Sequence, residues 1–355
     1  MCPPDPTRHP TLADVAAKAG VSASTASLAF SGSGPVSDAT KERVLAAAAE
    51  LGYAGPDPRA RSLRRGRSGI VGVVLEERVR AAFLDPVKIR TLDGIAEGIA
   101  PLKAGLLLFT DVGEPDAAVS IESAPVDAVV LIGCSPRLDQ SVEALRRRGI
   151  PTVAIEGAPH VGDIPQITID NEQATRRGAE YLHKLGHRRV SIVTLPFDTA
   201  HTRGPVTAEL EARGTTAVTL ERLAGARRIF PDAPAVAAAW SSIEEGREAA
   251  LALLDVAPAD RPTAIIAQSD LLAAGVIRAA EELGLSIPGD LSVLGFDGIR
   301  VDGLQHDLTT LDQPSADKGR AAGEAIVRIL SGEEPESVAF TSTLHIGSTT
   351  APPRG

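Results

Sequence analysis

Residues 11–53 read TLADVAAKAGVSASTASLAFSGSGPVSDATKERVLAAAAELGY, and their punctuation divides them into three short helices. Leu12, Val15, Ala16 and Ala19 recur at helical spacing, and Thr11 with Asp14 has the S/T-x-x-D/E form of a capping box, which satisfies free amides of a first helical turn. Gly20 follows the last apolar turn, where a left-handed residue closes a helix, and Ser22 is placed to cap a second helix running through Phe30. Two helices three residues apart cross steeply. That is the helix-turn-helix geometry, in which the second helix lies in the major groove of DNA with its first residues at the base edges. Ala23, Ser24, Thr25, Ala26 and Ser27 are small enough for close backbone approach, and the hydroxyls of Ser22, Ser24, Thr25 and Ser27 can reach bases or phosphates. A small helical bundle with no role at DNA satisfies the same spacing. A third helix, capped by Ser37 and ending at Leu51, sets Val44, Leu45, Ala48 and Leu51 on one face to close the core.

The next stretch, GPDPRARSLRRGRS at 55–68, crowds Arg59, Arg61, Arg64, Arg65 and Arg67 into a turn or two behind the helix-starting pair Asp57 and Pro58. So few residues with so much like charge are not stable as an isolated helix, but they can fold when phosphates neutralise them. Residues 1–68 hold nine Lys/Arg against six Asp/Glu, a balance of +3, so the remainder carries −13 within the net charge of −10. A basic head on an acidic body suits a nucleic-acid binder whose larger part avoids DNA, although an acidic enzyme with a basic tail has the same balance.

A chain of 355 residues exceeds what one hydrophobic core serves, so two or three domains are expected. No apolar run approaches the ~20 residues of a membrane span, and the Pro-rich start lacks a signal-peptide core, which points to a loose tail over residues 1–10 and a cytoplasmic protein. Cys2 and Cys134 read as free thiols. The chain has no phosphate-loop, H-E-x-x-H, C-x-x-C or G-x-S-x-G signature, so it is not expected to be an enzyme and no cofactor or metal is assigned. His183 and His187 lie four apart, but Gly186 ends their helix, and the pair reads as surface.

From Gly69 the grammar becomes strand, helix, strand. The runs 70–75, 105–109, 127–132, 151–155, 166–169, 189–195, 263–267 and 291–296 are short and apolar, and amphipathic stretches such as Asp139 to Gly149 and Glu172 to Leu185 separate most of them. This is an α/β chain with mostly parallel sheets, either one large or two smaller. Ligands in such folds collect at the carboxyl ends of strands, here at Glu76, Cys134, Glu156, Asp170, Ser269, Asp270 and Asp297. Converging carboxylates suit a polyhydroxylated ligand. Helix capping competes for each position, and is the preferred reading for Asp170 and Asp270; Asp297, between Phe296 and Gly298, reads as a ligand contact.

The run T-L-x-D-V-A-x-x-A-G-V-S-x-x-T-x-S from Thr11, then V-S-x-x-T-x-x-x-V from Val36, L-G-Y at 51–53 and A-R-S-L at 60–63 resemble the LacI/GalR family of bacterial transcription regulators. The likeness extends over nearly the whole chain beyond its first ten residues. It implies a helix-turn-helix domain at 11–56, a hinge helix at 57–68, and a two-lobed effector-binding and dimerisation domain at 69–355 like the periplasmic binding proteins. The first lobe is expected over about 69–169 and 313–342 and the second over about 170–312 and 343–355, with crossings near Asp170, Gln313 and Ser342.

Carried onto this chain, the resemblance makes Thr11, Ser22, Ala23, Ser24, Thr25, Ser27, Leu28, Ala60, Arg61 and Leu63 the DNA-binding set, with Leu63 as an apolar wedge in the minor groove. It adds Glu156, Arg222, Trp240, Ser269, Asp297 and Gln313 to the strand-end Glu76 as the effector-binding set, with Arg222 in an R-L-A-G motif as the clamp and Trp240 as a stacking ring. Leu28 stands where many members carry Arg, which removes a guanine contact. The stretch between Pro196 and Arg222 is longer than usual, so Arg203 rivals Arg222 as the clamp, and a core role competes with stacking for Trp240. The implied partners are a pseudopalindromic double-stranded operator, a second copy of the chain in a homodimer and a small-molecule effector. A carbohydrate is preferred as effector over a nucleoside or sugar phosphate, because lysines are scarce near the cleft. The implied function is a repressor; a sugar-binding or sugar-modifying protein without operator-specific binding is the alternative.

Overall fold

The structure, a computed structural model, describes residues 10–32, 34–55, 66–76, 79–110, 120–133, 137–157 and 164–354. The expected tail up to residue 9, the hinge segment through residue 65 and both cysteines therefore lie outside the described residues. The chain divides between Ser68 and Gly69 into two compact units.

The first unit is built from α1 (Leu12–Ala19), α2 (Ala23–Ser31) and α3 (Asp38–Leu51). Each begins on a hydroxyl cap, since Thr11, Ser22 and Ser37 accept from the amides of Asp14, Thr25 and Thr40, and Asp14 returns the Thr11 bond at 2.8 Å to complete the capping box. Gly20, Gly32 and Gly52 close them with φ near 65°. Val15, Ala16, Ala26, Ala29, Val44, Ala47 and Ala48 form the core, and Phe30 meets Tyr53 edge-on at 5.6 Å. The expected apolar face of α3 is wrong by one residue. Leu45 is 43% exposed and Ala47 takes the inner place, because Val44, Ala47, Ala48 and Leu51 follow the i, i+3, i+4, i+7 stripe while Leu45 sits about 100° round the helix.

The second unit carries two sheets. The first sheet joins β1 (Ile70–Leu75), β2 (Gly105–Thr110), β3 (Ala128–Ile132), β4 (Thr152–Ile155), β5 (Gln166–Ile169) and β12 (Val338–Phe340) in the order β12-β5-β4-β3-β1-β2, all parallel. The second joins β6 (Val190–Thr194), β7 (Gly204–Pro205), β8 (Ala235–Ala237), β9 (Ala264–Ala267), β10 (Ser292–Asp297), β11 (Thr309–Asp312) and β13 (Thr343–His345) in the order β13-β11-β10-β9-β6-β8-β7. Only its edge strands β13 and β7 run antiparallel to their neighbours. The eight apolar runs are β1 to β6, β9 and β10. The other five escaped reading because they are short, peripheral or hydroxyl-rich, as in Thr309-Thr310-Leu311-Asp312.

Around the sheets lie α4 (Val79–Ala82), α5 (Pro86–Gly98), α6 (Arg137–Arg147), α7 (Asn171–Leu185), α8 (Ala208–Ala212), α9 (Ala217–Arg227), α10 (Ile243–Leu254), α11 (Asp270–Glu282) and α12 (Ser315–Leu330). The chain passes from the first sheet to the second after β5, returns after β11 through Gln313 and α12, and passes back between β12 and β13. Two of these passages are tied together by Asp170. It stands at the start of α7 but makes no side-chain cap; its carboxylate instead accepts from Arg177 at 2.7 Å and from the Ser342 amide at 2.9 Å. The expected capping role of Asp170 is thus replaced by a cross-link between crossings. His187 also departs from its surface reading. It is buried and bonds Thr263 Oγ1 at 2.8 Å and the Ala351 carbonyl at 2.9 Å, pinning the C-terminal segment, and burial lowers its pKa.

Candidate functional site

On the first unit, the hydroxyls at the start of α2 form a compact polar row. Ser22 Oγ lies 2.8 Å from both Ser24 Oγ and Thr25 Oγ1, and it caps the Thr25 amide at 3.1 Å. Thr11, Ser22, Ala23, Ser24 and Leu28 are exposed, with Thr25 and Ser27 half-buried beside them. Ala26 and Ala29 turn inward, so one side of α2 packs and the other is free to meet a groove. Leu28 leans on Gly34, where a Cβ would come within 2.9 Å of its Cδ2. Ala60, Arg61 and Leu63 lie outside the described residues.

In the second unit the polar groups gather at the carboxyl ends of the two sheets. Arg222 is presented from inside α9 and is 3% exposed. Its Nε donates to Asn171 Oδ1 at 2.8 Å and its Nη1 to the Gln268 carbonyl at 2.6 Å, while the guanidinium carbon lies 3.5 Å from the Phe296 ring centroid and Nη1 lies 3.7 Å from Asp297 Oδ1. Gln268 is itself fixed, accepting from the Leu195 amide and donating to the Thr219 carbonyl. Asp297 ends β10 at φ 127°, a left-handed backbone for a residue other than glycine. Its Oδ1 accepts from Gln313 Nε2 at 2.6 Å, and burial pushes its carboxyl up to about 7 against the pull of Arg222.

Gln313 presents its other amide atom, Oε1, to the Lys318 ammonium, which also donates to Glu156 Oε1. Glu156 follows β4 at φ 53°; burial raises its pKa and Lys318, Arg222 and Lys88 together outweigh it, so the carboxyl lies below its usual value. Glu76 packs across the end of β3, where a Cβ on Gly133 would come within 2.1 Å of its carboxyl carbon. Burial lowers Lys88 to about 8 in spite of Glu76 and Glu156 nearby. Asp85, which caps α5, is pushed up by burial, with Lys318 and Arg222 opposing. Arg90 donates to the Gly298 carbonyl at 3.0 Å, and Val87 packs with Ile299 and Val301, so α5 touches the far side of the cleft.

Glu76, Glu156, Arg222, Asp297 and Gln313 thus converge. The capping role expected of Asp270 falls to its neighbour. Ser269, read as a ligand contact, is the N-cap of α11, accepting from the Leu272 amide and bonding Ser241 Oγ at 2.8 Å. Asp270, read as a cap, is fully buried; it accepts from the Ile299 amide at 2.8 Å and Thr310 Oγ1 at 2.6 Å, and burial beside Asp297 holds its pKa well above the ordinary value. The hydroxyl stands one residue before the acid, and the cap geometry accepts whichever comes first.

Trp240 is 44% exposed and stacks on His201 at 3.8 Å, so the core reading of this ring fails. The longer stretch before Arg222 supplies that imidazole, and it also supplies Arg203, whose guanidinium pairs with Glu245 and takes no part in the buried group around Arg222. Lysine is not scarce at the cleft either, since Lys88 and Lys318 reach it from α5 and α12. The sequence reading missed Lys318, Asn171, Gln268, Lys88 and Asp85. They stand on helices, at a helix cap or just past a strand with no motif of their own, and only the fold brings them together.

Residues 11–55 match a family described as bacterial regulatory proteins, lacI family, and residues 179–350 match a periplasmic binding protein-like domain. The chain is 34% identical to the HTH-type transcriptional regulator IpsA of Corynebacterium glutamicum, over 97% of this chain and 98% of that one. It is 30% identical to the HTH-type transcriptional repressor CytR of Escherichia coli, over 94% and 93%. Among solved structures it resembles the complex of the transcriptional regulator CelR with cellobiose, with a TM-score of 0.68 and 25% identity over 96% of this chain and 99% of that one.

Proposed function

Because this chain belongs to the LacI family of bacterial regulatory proteins, we propose that it is a dimeric repressor whose affinity for a pseudopalindromic operator is set by a carbohydrate bound between the two sheets. The observation that carries the effector half of this reading is the buried group of Arg222, Asp297, Gln313 and Glu156 at the carboxyl ends of both sheets. Hydroxyl groups both donate and accept, so a polyol matches a site that offers guanidinium donors and carboxylate acceptors side by side. The CelR complex with cellobiose supports the same ligand class.

In this reading Thr11, Ser22, Ala23, Ser24, Thr25, Ser27 and Leu28 contact operator DNA from the first unit, and Ala60, Arg61 and Leu63 do so from the hinge. Glu76, Glu156, Arg222, Asp297 and Gln313 hold the effector, with Trp240 at the mouth. The mechanism is linkage: a ligand that favours one arrangement of the lobes shifts the hinge between ordered and disordered, and so shifts DNA affinity. A protein that acts on bacterial DNA acts in the cytoplasm. No helix among the described residues is long and apolar enough to cross a membrane.

Trp240 is the single tryptophan, which makes its fluorescence a direct probe. Titration with sugars, nucleosides and organic acids is expected to give a saturable change with a sugar. A saturable response to nucleosides or organic acids alone removes the carbohydrate assignment.

A further inference from the structure

The Lys318 side chain is 3% exposed, and its ammonium donates to two oxygens, Glu156 Oε1 of a carboxylate and Gln313 Oε1 of an amide. Glu156 belongs to the first sheet, at the end of β4, whereas Gln313 is the residue through which the chain leaves the second sheet. An ammonium can only donate, and the ionised carboxylate of Asp297 can only accept. Lys318 therefore requires the oxygen of the Gln313 amide to face it, which turns the amide nitrogen toward Asp297 Oδ1, 2.6 Å away. With the amide reversed, Lys318 and the Gln313 nitrogen would meet donor to donor, and the Gln313 oxygen would meet Asp297 acceptor to acceptor. The backbone of Gln313 adds a bond of its own to the Asp297 carbonyl at 3.3 Å.

We propose that Lys318 is the positioning residue of the cleft: its ammonium fixes Glu156 directly and, by dictating the orientation of the Gln313 amide, fixes Asp297 across the lobe crossing. One cation thereby sets an acceptor on each lobe. This rests on the reading of the cleft as the effector site, and it deepens that reading by coupling the two lobes through a residue that need not touch the effector. Other charges face the same carboxylates. Arg222 and Lys88 lie near Glu156, while Arg222, Asp85 and Asp270 lie near Asp297. None of them reorients the Gln313 amide.

The test is a pH titration of the full chain, without effector, with carbon-13 at the side-chain carboxyls and the two signals assigned through Glu156→Gln and Asp297→Asn. Lys318→Met is expected to raise the midpoints of both Glu156 and Asp297, each by about one pH unit or more, since an opposite charge has been withdrawn. Lys318→Arg, which restores a donor-only cation, is expected to bring both back toward the parent values. A rise at Glu156 alone makes Lys318 a local partner and overturns the relay, and no rise at either overturns the proposal entirely. Lys318→Gln, neutral but still able to donate to the Gln313 oxygen, is the second variant and stands in if Lys318→Met does not fold: it is expected to raise Glu156 while holding Asp297 nearer its parent value, and an Asp297 rise as large as that at Glu156 assigns the shift to the direct charge of Lys318 and overturns the relay. The titration needs no ligand, so its outcome is independent of the fluorescence panel: an effector found for the parent protein together with unmoved carboxyls in the variant removes the positioning role and leaves the effector reading intact.

Discussion

Gly94→Ala is expected to destabilise the larger unit by about 3 kcal/mol, although alanine is the better helix former by about 1 kcal/mol. Helices α5 and α12 approach so closely that a Cβ on Gly94 would come within 2.0 Å of the Ala316 carbonyl oxygen and 2.8 Å of the Arg320 amide nitrogen. These are backbone atoms, so no rotamer change relieves the clash. Gly98, Gly319 and Gly323 line the same seam, where a Cβ on Gly319 would come within 2.1 Å of the Thr91 carbonyl oxygen. A single methyl must therefore push the helices apart, and the overpacking cost exceeds the gain in helix propensity. The effect also reaches the site, because Lys318 precedes Gly319 on the displaced helix. Urea denaturation with an unchanged slope and a much lower midpoint is the expected signature. A midpoint equal to or above that of the parent protein contradicts this packing.

Arg222→Met is expected to cost about 3 kcal/mol at pH 8 and to abolish the effector response. Methionine fills much of the space over Phe296 but leaves Asn171 Oδ1 and the Gln268 carbonyl without their donor, and removes the cation facing Asp297. A buried carboxylate left without its facing cation is the larger part of that loss. Since burial already holds Asp297 near pH 7, lowering the pH lets it take up a proton and shed the uncompensated charge. The destabilisation should therefore be smaller at pH 5.5 than at pH 8. Paired urea melts at the two pH values check the sign, and a loss that grows toward acid pH contradicts the assignment of Asp297 as the charge left behind.

Helix caps were readable because they depend on local chemistry. Thr11 with Asp14, Ser22 and Ser37 each precede an apolar stripe, and no distant residue is needed to satisfy the first free amides. The central strands were readable for a similar reason, since a strand buried on both faces is a continuous apolar run. Edge strands such as β12 and β13 carry exposed or hydroxyl-bearing residues and give no such run. Arg222, Asp297, Gln313 and Glu156 stand in recognisable motifs, so their convergence could be expected. Lys318 could not be found this way, because in sequence it is one charge among others on an amphipathic helix. Its burial comes from the close seam around Gly319, which lets α12 bring the ammonium between Glu156 and Gln313. The cap fell to Ser269 and not to Asp270 for an equally plain reason. Both residue types suit a helix start, and only the positions of Thr310 and Ile299 decide which one turns inward.

Operator recognition by a two-fold dimer is tested most directly by selecting binding sites from random double-stranded DNA with the full-length protein at fixed salt. Enrichment of two inverted half-sites, with occupancy that changes when the effector found by Trp240 fluorescence is added, is the expected result. Retention of DNA without any enriched sequence, or enrichment of an isolated asymmetric half-site, contradicts it.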